Sequence, residues 1–484
     1  MSRVEWSLSI GGDAVAGATT LPVTNPATGE VLAEAPAADA AQLDAAFAAA
    51  AGALPGWSAT DPDERGAALL AAADAVAAAT DELAALITDE QGKPLPEATV
   101  EVLGTVAALR HFAGLRIADQ VLRDAAPRVV VRRRPVGVVG AITPWNSPVM
   151  VAGGMKIAPA LAAGATVVLK PSPFTPLSSL RLAELMTPAL PPGVLNVVSG
   201  ANDLGAWMTA HPIPRLITFT GSPAIGRRVA AAAAEDLKRV VLELGGNDPA
   251  VLLDDAVVAD VAEAVFWAAF GNAGQTCVAV KRVYVPEALH AELVDALVAL
   301  AEGVLVGGGR EDGVRMGPLT SPAQRDIVAG LVEDARSSGG RVVTGGEVID
   351  RPGNFYRPTI VDGVTDKTRL VAEEQFGPAL PIVAYRDLDE VLGNVNASDY
   401  GLGGSVWGTD VDRARSVADR VEAGTTWVNT HRGSLWPLQP TAGLKQSGLG
   451  AELGTWGLES FTELSVAHDV RTVTARPVGL VTGD

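Results

Sequence analysis

VGVVGAI (136–142) is the first of five short apolar runs that decide the fold, followed by TVVL (166–169), VLNVV (194–198), LITFT (216–220) and VVLEL (240–244). The runs are rich in β-branched residues, and the stretches between them carry helical patterns. This alternation predicts an α/β fold with a parallel, doubly wound sheet. Ligands of such sheets bind at the carboxyl ends of the strands, so the residues that follow each run are the first candidates for a site.

A second α/β section is predicted beyond this sheet, up to about residue 443. Its apolar segments are 283–285, 342–344, 380–385 and 426–429. The segment VVVRRR (129–134) instead indicates an exposed strand with a charged end. Partial alternation over 464–470 indicates a second strand that could dock on it. We therefore expect two doubly wound α/β domains and one small β element.

Composition narrows the classes of function. The 484 residues carry a net charge of −19, which disfavours nucleic acid and anionic membranes as partners. The single cysteine excludes an intramolecular disulfide framework, and the scattered histidines predict no metal site. The uncharged stretch 135–155 is long enough to span a bilayer, but prolines and glycines would break a helix there repeatedly. The amino terminus lacks a signal-peptide pattern, so we expect a cytoplasmic protein.

The only cysteine, Cys277, stands in the sequence FGNAGQTC. A lone cysteine is more often a buried apolar residue than a nucleophile. The flanking glycines allow a tight backbone, and the polar neighbours Asn272, Gln275 and Thr276 are unusual around an inert core thiol, which favours the nucleophile. Glu243 closes the apolar run 240–242 and is either a solvated or capping carboxylate or a base held at a strand end.

Three further strand ends carry polar residues. Asn146 follows the first strand, where its amide could donate to an oxyanion. Lys170 follows the second strand and suits a ribose or a phosphate. Gly221 and Gly226 lie at a strand-to-helix turn, where helix amides attract phosphate oxygens. Each signal is weak alone, and only their joint occurrence in this order ahead of Cys277 favours a site.

With these motifs the sequence closely resembles the aldehyde dehydrogenase superfamily over residues 25–463. The matching pieces are NPATGE, TPWN, KPS, FTGS, LELGG, GQTC, EEQFGP, YGLGGSVW and GLKQSGLGAELG. The resemblance implies an NAD(P)-binding domain, a catalytic domain and a bridging or oligomerisation element in a homodimer or homotetramer. Their expected bounds are 1–117, 136–243 and 442–460 for the first, 244–441 for the second, and 118–135 and 461–484 for the third.

The resemblance also implies roles for single residues. Cys277 would attack the aldehyde carbon, Asn146 would hold the oxyanion, and Glu243 would activate water to hydrolyse the thioester. The small-molecule substrate would be an aldehyde and the product a carboxylic acid. The residues expected to bind the cofactor are Thr143, Pro144, Trp145, Lys170, Ser172, Gly221, Ser222, Leu244, Gly245, Glu374 and Phe376.

The sequence departs from the family pattern at three sites. Pro173 stands where many NAD-specific relatives carry a glutamate that binds the adenosine ribose and repels a 2′-phosphate. We expect NAD as the cofactor, and because this glutamate is missing, NADP is the alternative. Gly271 stands where several relatives carry an aromatic ring, which predicts a wider substrate channel closed by a loop with Arg432 and Trp436. A bulky aromatic or long-chain aldehyde is therefore our first hypothesis, and a carboxylated semialdehyde attracted by Arg432 is the second. One apparent extra residue before Lys156 predicts an altered start of the pocket-lining helix.

Three alternative functions remain open at this stage. Acyl transfer to coenzyme A would replace hydrolysis, but relatives that use coenzyme A often lack the equivalent of Glu243. A cysteine hydrolase would need a histidine partner, and none is recognisable from its position in the sequence. A catalytically silent binding or structural protein on this fold would leave the chemical residues unexplained.

Overall fold

The computed structural model of the chain describes residues 6–125, 128–432 and 437–469. Strands and helices alternate along most of this length, which confirms the predicted α/β class. The α-helices of the described residues are Ala40–Ala59, Pro62–Ala78, Thr80–Gln91, Leu95–Gly114, Ala158–Ala163, Leu177–Met186, Asn202–Ala210, Pro223–Ala234, Val258–Phe270, Glu287–Glu302, Pro322–Ser337, Arg369–Ala372, Leu388–Asn396, Val411–Ala418 and Gly454–Ser460.

The first large sheet contains all five of the predicted apolar runs as parallel neighbours at its centre. Strands from the N-terminal region and residues 448–449 extend it with antiparallel pairing at both edges. The spatial order of its eight strands is Asp13–Val15, Leu8–Ile10, Leu195–Val197, Thr166–Lys170, Val138–Ile142, Leu216–Thr220, Arg239–Glu243 and Gly448–Leu449.

The strand order reverses between Val138–Ile142 and Leu216–Thr220, which are adjacent although the chain forms two other strands between them. Helices that follow strands on either side of this point leave the sheet in opposite directions. The loops after the two strands therefore diverge and open a crevice at the carboxyl edge of the sheet. This is the point at which a doubly wound sheet binds its ligand.

The second large sheet has seven strands, of which all but the first in spatial order pair in parallel. Each of the four apolar segments predicted for this section forms one of its strands. Its spatial order is Arg341–Thr344, Thr359–Asp362, Ala379–Tyr385, Val280–Pro286, Asp248–Leu252, Gly403–Trp407 and Thr425–Val428.

Three smaller sheets contain the remaining strands of the described residues. The exposed strand predicted near Arg132 is Arg128–Pro135, which pairs with Gln120–Arg123 on one side and with Thr462–Asp469 on the other. The predicted docking of the tail strand is thus present, and its last expected residue, Val470, lies outside the described residues. The remaining pairs are Thr19–Thr24 with Val31–Ala37 and Tyr400–Gly401 with Leu444–Lys445.

The uncharged stretch 135–155 forms the strand Val138–Ile142, a loop, and the start of a π-helix, Met150–Ile157. A π-helix accommodates one residue more than an α-helix over the same length, which accounts for the extra residue noticed before Lys156. Gly153 is required in it, because a Cβ there would lie 2.6 Å from the Thr105 methyl carbon. Among the described residues, the helices are all too short or too polar to cross a membrane.

Candidate active site

Two connected cavities lie at the carboxyl edge of the first sheet. The larger has a volume of about 740 Å³ and the smaller about 260 Å³, and both are lined by Pro144, Trp145, Gly221 and Ser222. The larger cavity also contains Thr143, Lys170 and Ser172, and the smaller contains Asn146, Leu244, Gly245, Cys277, Glu374 and Phe376. All eleven residues predicted to bind a cofactor, and two of the three predicted catalytic residues, therefore line one continuous space.

Cys277 lies just after the short 3₁₀-helix Gly271–Gly274 that follows the helix Val258–Phe270. Gly274 adopts φ +72°, and a Cβ there would lie 2.4 Å from the Gly377 carbonyl oxygen, so glycine is needed for both reasons. This close approach joins the cysteine loop to the loop that carries Glu374 and Phe376. Burial is the main cause that raises the pKa of Cys277 to about 11, so the thiol is neutral at physiological pH before any base acts on it.

Asn146 is fixed on both its backbone and its side chain. Its carbonyl oxygen accepts hydrogen bonds from Lys93 Nζ at 2.8 Å and from Asn272 Nδ2 at 3.0 Å. Its own Nδ2 donates to the Gln275 carbonyl oxygen at 2.9 Å. An amide nitrogen has two hydrogens, so the second one is available to a substrate oxygen beside Cys277. The predicted oxyanion donor is thus oriented before a substrate arrives.

Lys93 is itself part of a buried ion pair that the sequence did not reveal. Its Nζ lies 2.5 Å from Glu101 Oε2, and Glu101 Oε1 accepts from the backbone nitrogens of Val149 and Met150 at 2.9 and 3.2 Å. The carboxylate therefore caps the π-helix, and its lysine partner holds Asn146. The Lys93–Glu101 ion pair therefore positions both the loop that carries Asn146 and the π-helix.

Glu243 is the last residue of the strand Arg239–Glu243 and is buried, as expected for a base held at a strand end. Its Oε1 has no hydrogen-bond partner among the described residues. The pKa of Glu243 is well above its usual value, because burial and then the nearby Glu452 disfavour its charged form, while Lys156 acts in the opposite direction. A Cβ on Gly246 would lie 2.7 Å from the Cys277 carbonyl oxygen, so the loop after Glu243 packs directly against the nucleophile.

Glu452 and Lys156 form a fully buried pair next to Glu243, and sequence reasoning missed it. Lys156 Nζ lies 2.6 Å from Glu452 Oε1 and 2.8 Å from Thr218 Oγ1. The second oxygen of Glu452 has no partner among the described residues. A charged lysine within an otherwise apolar helical stretch was the available signal for Lys156, whereas nothing local distinguished Glu452.

Lys281 is a second buried cation that sequence reasoning missed. Its Nζ donates to the carbonyl oxygens of Thr276 and Cys277 at 2.7 and 2.9 Å, lies 3.8 Å from Glu374 Oε1, and stands 5.8 Å from the centre of the Phe376 ring. Glu374 also accepts from the Gly246 nitrogen at 3.0 Å. The nucleophile and the predicted ribose-binding glutamate are therefore held by the same ammonium group.

The two cavities fit a dinucleotide. The helix Pro223–Ala234 begins at their junction, and its cap Ser222 accepts from the Ile225 nitrogen through Oγ at 3.4 Å and from the Gly226 nitrogen through its carbonyl oxygen. Since Pro223 has no N–H, the Ala224 amide is the one left in the first turn for an anionic oxygen. Thr143 lines the larger cavity, and its buried hydroxyl has no hydrogen-bond partner among the described residues. Trp145 and Phe376 meet edge to face, with ring centres 5.4 Å apart, and Trp145 lines both cavities while Phe376 lines the smaller.

The larger cavity is lined by charges of both signs. Pro173 lines it, as do Lys170, Asp203 and Arg228. Burial lowers the pKa of Lys170 to about 8, and the negative charge of Asp203 opposes this shift. Two cations and one carboxylate thus face the space in which a ribose would lie.

The histidine needed by a cysteine hydrolase is not positioned for that reaction. His431 is the histidine brought closest to the cysteine loop, but its Nε2 lies 2.8 Å from the Val278 carbonyl oxygen and its Nδ1 lies 2.9 Å from Ser405 Oγ. The Val278 carbonyl oxygen can only accept, so Nε2 donates to it, and Nδ1 of the neutral ring accepts from the Ser405 hydroxyl. Both ring nitrogens are engaged away from the thiol, which argues against a Cys/His dyad. Trp436, predicted to close the channel, lies outside the described residues.

Comparison with known proteins agrees with this geometry. The model of the aldehyde dehydrogenase family matches residues 14–467. Phenylacetaldehyde dehydrogenase of Pseudomonas fluorescens is 40% identical over 478 residues, which are 95% of each chain. Succinate-semialdehyde dehydrogenase (NADP+) of Escherichia coli is 38% identical over 466 residues, again 95% of each chain. The solved NAD+ complex of an aldehyde dehydrogenase from Bacillus cereus superposes with a TM-score of 0.94 at 36% identity and 97% coverage of both chains.

Proposed function

The chain belongs to the aldehyde dehydrogenase family and oxidises aldehydes to carboxylic acids with NAD(P), and we propose that Cys277, Asn146 and Glu243 are its catalytic residues. The observation that carries the proposal is that the thiol of Cys277 and the amide of Asn146 line one cavity, while the buried Glu243 lies on the loop that packs against the cysteine backbone. These are the parts that acyl chemistry through a covalent intermediate requires.

In the first half of the reaction, Cys277 loses its proton and its sulfur attacks the aldehyde carbon. The carbonyl oxygen becomes an oxyanion, which the free N–H of Asn146 stabilises in the resulting thiohemiacetal. The bound nicotinamide would accept the hydride from this carbon. What remains on the enzyme is a thioester of Cys277.

In the second half, Glu243 takes a proton from water, and the hydroxide attacks the thioester carbon to release the carboxylic acid. A base is most effective when its pKa lies near the working pH. Burial and Glu452 both move the pKa of Glu243 upward towards that range. The same carboxylate is a suitable acceptor for the Cys277 proton, because an unaided thiol with a pKa of about 11 would rarely be ionised. It must release that proton to solvent before it can take one from water in the second half.

For the cofactor we propose that Lys170 and Ser172 bind the adenosine ribose, Gly221 and Ser222 the pyrophosphate, and Glu374 the nicotinamide ribose. Thr143, Pro144, Trp145, Leu244, Gly245 and Phe376 would form the walls. We propose NAD as the preferred cofactor and NADP as an accepted one. Lys170 and Arg228 would tolerate a 2′-phosphate, and Pro173 offers no carboxylate to repel it.

A substitution at Pro173 tests the cofactor proposal. Pro173→Glu should lower kcat/KM with NADP by about tenfold or more, because a like charge would face the 2′-phosphate. The kcat/KM with NAD should not fall to the same extent. Equal effects on the two cofactors would contradict this assignment.

We further propose that the first large sheet belongs to the NAD(P)-binding domain, the second to the catalytic domain and the small three-stranded sheet to an oligomerisation element, with the bounds expected from the sequence. The strands of each sheet fall within the corresponding ranges. A homodimer or homotetramer and a cytoplasmic location stay predictions from the sequence.

The catalytic roles are tested by following reduced nicotinamide at its absorbance band over a panel of aldehydes, with both cofactors. Cys277→Ala should abolish the signal. Glu243→Gln should retain a single burst of reduced cofactor but lose about 10²–10⁴ in steady-state turnover, because hydrolysis depends on the base. Steady turnover restored to Glu243→Gln by coenzyme A, with an acyl-coenzyme A product also formed by the wild type, would favour the acyl-transfer alternative. A variant at Cys277 that still oxidises aldehydes would overturn the assignment.

A further inference from the structure

The guanidinium of Arg432 lies next to Gly271. A Cβ built on Gly271 would lie 3.5 Å from Arg432 Nη1. The absence of a side chain at Gly271 therefore does not simply widen the channel, as the sequence led us to expect, because a guanidinium lies against it. The next residue, Asn272, donates to the Asn146 carbonyl at 3.0 Å, so this guanidinium lies beside the loop that holds the oxyanion amide.

The position of Arg432 is fixed by the residue before it. His431 is buried, bonded to Val278 and Ser405, and its ring centre lies 4.6 Å from that of Trp427. Arg432 adopts φ +61°, a left-handed conformation that is uncommon for a residue other than glycine. Its backbone thus follows directly on a buried anchor, while its side chain is exposed.

A second arginine and a glutamate share this region. Arg315 lies over the Trp267 ring at 4.4 Å, and Glu97 accepts from the Asn272 nitrogen at 2.8 Å. Burial raises the pKa of Glu97, and the charges of the nearby cations Lys93, Arg432 and Arg315 oppose that shift. Since Lys93 is already paired with Glu101, one carboxylate is left for the two arginines.

The cluster therefore has an excess positive charge in a protein of net charge −19. Among the described residues, neither guanidinium forms an ion pair or a hydrogen bond. Arginine at a carboxylate-binding site donates two parallel hydrogen bonds, which a neutral or cationic group cannot accept in the same way.

We propose that Arg432, supported by the field of Arg315, binds a carboxylate at the far end of the aldehyde substrate. The substrate class is an aldehyde that also carries a carboxylate, and the product is a dicarboxylate. This inference rests on the proposed function, since it assigns the non-reacting end of the substrate whose aldehyde reacts at Cys277. It favours the second of the two substrate hypotheses drawn from the sequence over the bulky neutral aldehyde.

The experiment compares aldehydes of matched length with and without the carboxylate. For wild type, kcat/KM should be at least about tenfold higher for succinate semialdehyde or glutarate semialdehyde than for butanal or pentanal. Added salt should lower the values for the carboxylated pair more than for the neutral pair, because it screens the arginines. In Arg432→Gln the ratio of carboxylated to neutral kcat/KM should fall by about tenfold to a hundredfold.

Arg357→Gln is the matched control, because Arg357 is an exposed arginine paired with Glu347 at 2.8 Å outside both cavities. In Arg357→Gln the ratio of carboxylated to neutral kcat/KM should equal that of wild type. Wild type that prefers neutral aldehydes, or an Arg432→Gln ratio equal to that of the control, would overturn the inference while oxidation through Cys277 stands. Absence of oxidation of every aldehyde, despite demonstrated cofactor binding, would overturn the proposed function as well.

Discussion

A single buried lysine connects the nucleophile to the glutamate that we assign to the nicotinamide ribose. Lys281 donates to the carbonyl oxygen of Cys277 and lies 3.8 Å from Glu374 Oε1. Its positive charge is the one that lowers the pKa of the thiol, against the effect of burial and of Glu243, Glu374 and Asp248. The ionisation of Cys277 therefore depends on a residue that does not touch the substrate.

Lys281→Met should make the thiol a weaker acid. Loss of the cation raises the pKa of Cys277 further, so the thiolate fraction falls at every pH below that pKa, by about tenfold if the pKa becomes one unit higher. The rate of alkylation of Cys277 by iodoacetamide in the cofactor-free enzyme should fall accordingly between about pH 7 and pH 9. Lys367→Met, which removes an exposed lysine, is the control. Identical rate profiles for the two variants would show that Lys281 only fills space.

Glu452→Gln should make Glu243 a stronger acid, whereas Lys281→Met makes Cys277 a weaker one. Removing the neighbouring negative charge lowers the pKa of Glu243, and the charge of Lys156 is then no longer balanced, which lowers it further. The acidic limb of the kcat profile should move to lower pH. Stability should fall by about 3–5 kcal/mol, because a buried cation loses its counter-charge. Glu347→Gln, at an exposed pair, should leave both the pH profile and the stability unchanged.

The positions of single residues were predictable where a local motif marks them, while their roles stay predictions. Cys277, Glu243 and Asn146 each stand in a short stretch of unusual composition, and each lies where the sequence placed it. Glu452 and Lys156 are 296 positions apart in the sequence. Lys281 donates from its ammonium group to the carbonyl oxygens of Thr276 and Cys277. Such pairs are created by the packing of distant segments, and no pattern along the chain indicates them.

Among the elements, the π-helix Met150–Ile157 has one residue more than an α-helix of the same length would hold. The wider turn keeps Lys156 facing Glu452, while Glu101 caps the helix start. The wide turn also brings the backbone at Gly153 against Thr105 and Leu182, where only a hydrogen atom fits. A glycine within this helix is therefore a packing requirement rather than a weakness.

Gly153→Ala should destabilise the protein by about 1–3 kcal/mol, because its Cβ would force Thr105 and Leu182 apart. Gly52→Ala is the matched control, since Gly52 lies within the helix Ala40–Ala59 with nothing near its missing Cβ. That substitution should stabilise by about 0.5–1 kcal/mol, through lower backbone entropy in the unfolded chain. Denaturant unfolding of the two variants measures both effects, and the same sign of change in both would contradict this account of the π-helix.

Strands and helix starts were predictable to a greater extent than helix interruptions. The five apolar runs of the first sheet were recognised because β-branched residues cluster between helical stretches. The alanine-rich stretch 62–91, with Asp61 as cap and Pro62 in the first turn, predicts one continuous helix. The structure breaks this helix at Ala79, where Thr80 Oγ1 donates to the Ala77 carbonyl oxygen at 2.8 Å. A hydroxyl that bonds the backbone in this way competes with the helix, and alanine-rich neighbours give no warning of it.

On the scale of the whole chain, the three-stranded sheet leaves an apolar surface uncovered. Leu464 and Val466 on the strand Thr462–Asp469 are 64% and 60% exposed, and Val121 and Leu122 on the opposite edge strand are also exposed. Both edge strands of this sheet have unpaired backbone groups within the described residues. An exposed apolar edge strand is a surface that another chain can extend by pairing. A second copy of this chain is the occupant that the family resemblance predicts.

Leu464→Glu combined with Val466→Glu should therefore lower the mass of the assembly in solution. Two carboxylates at the centre of an apolar contact would be buried without partners, at a cost large enough to separate subunits. Light scattering after size-exclusion chromatography measures the mass directly. Leu305→Glu, at a leucine that is 53% exposed away from the small sheet, controls for the added charge. A double variant with the mass of wild type would mean that these side chains do not form the subunit contact, whatever the oligomeric state. A smaller assembly that retains alkylation of Cys277 would show that the sheet joins subunits whose active sites are built from one chain.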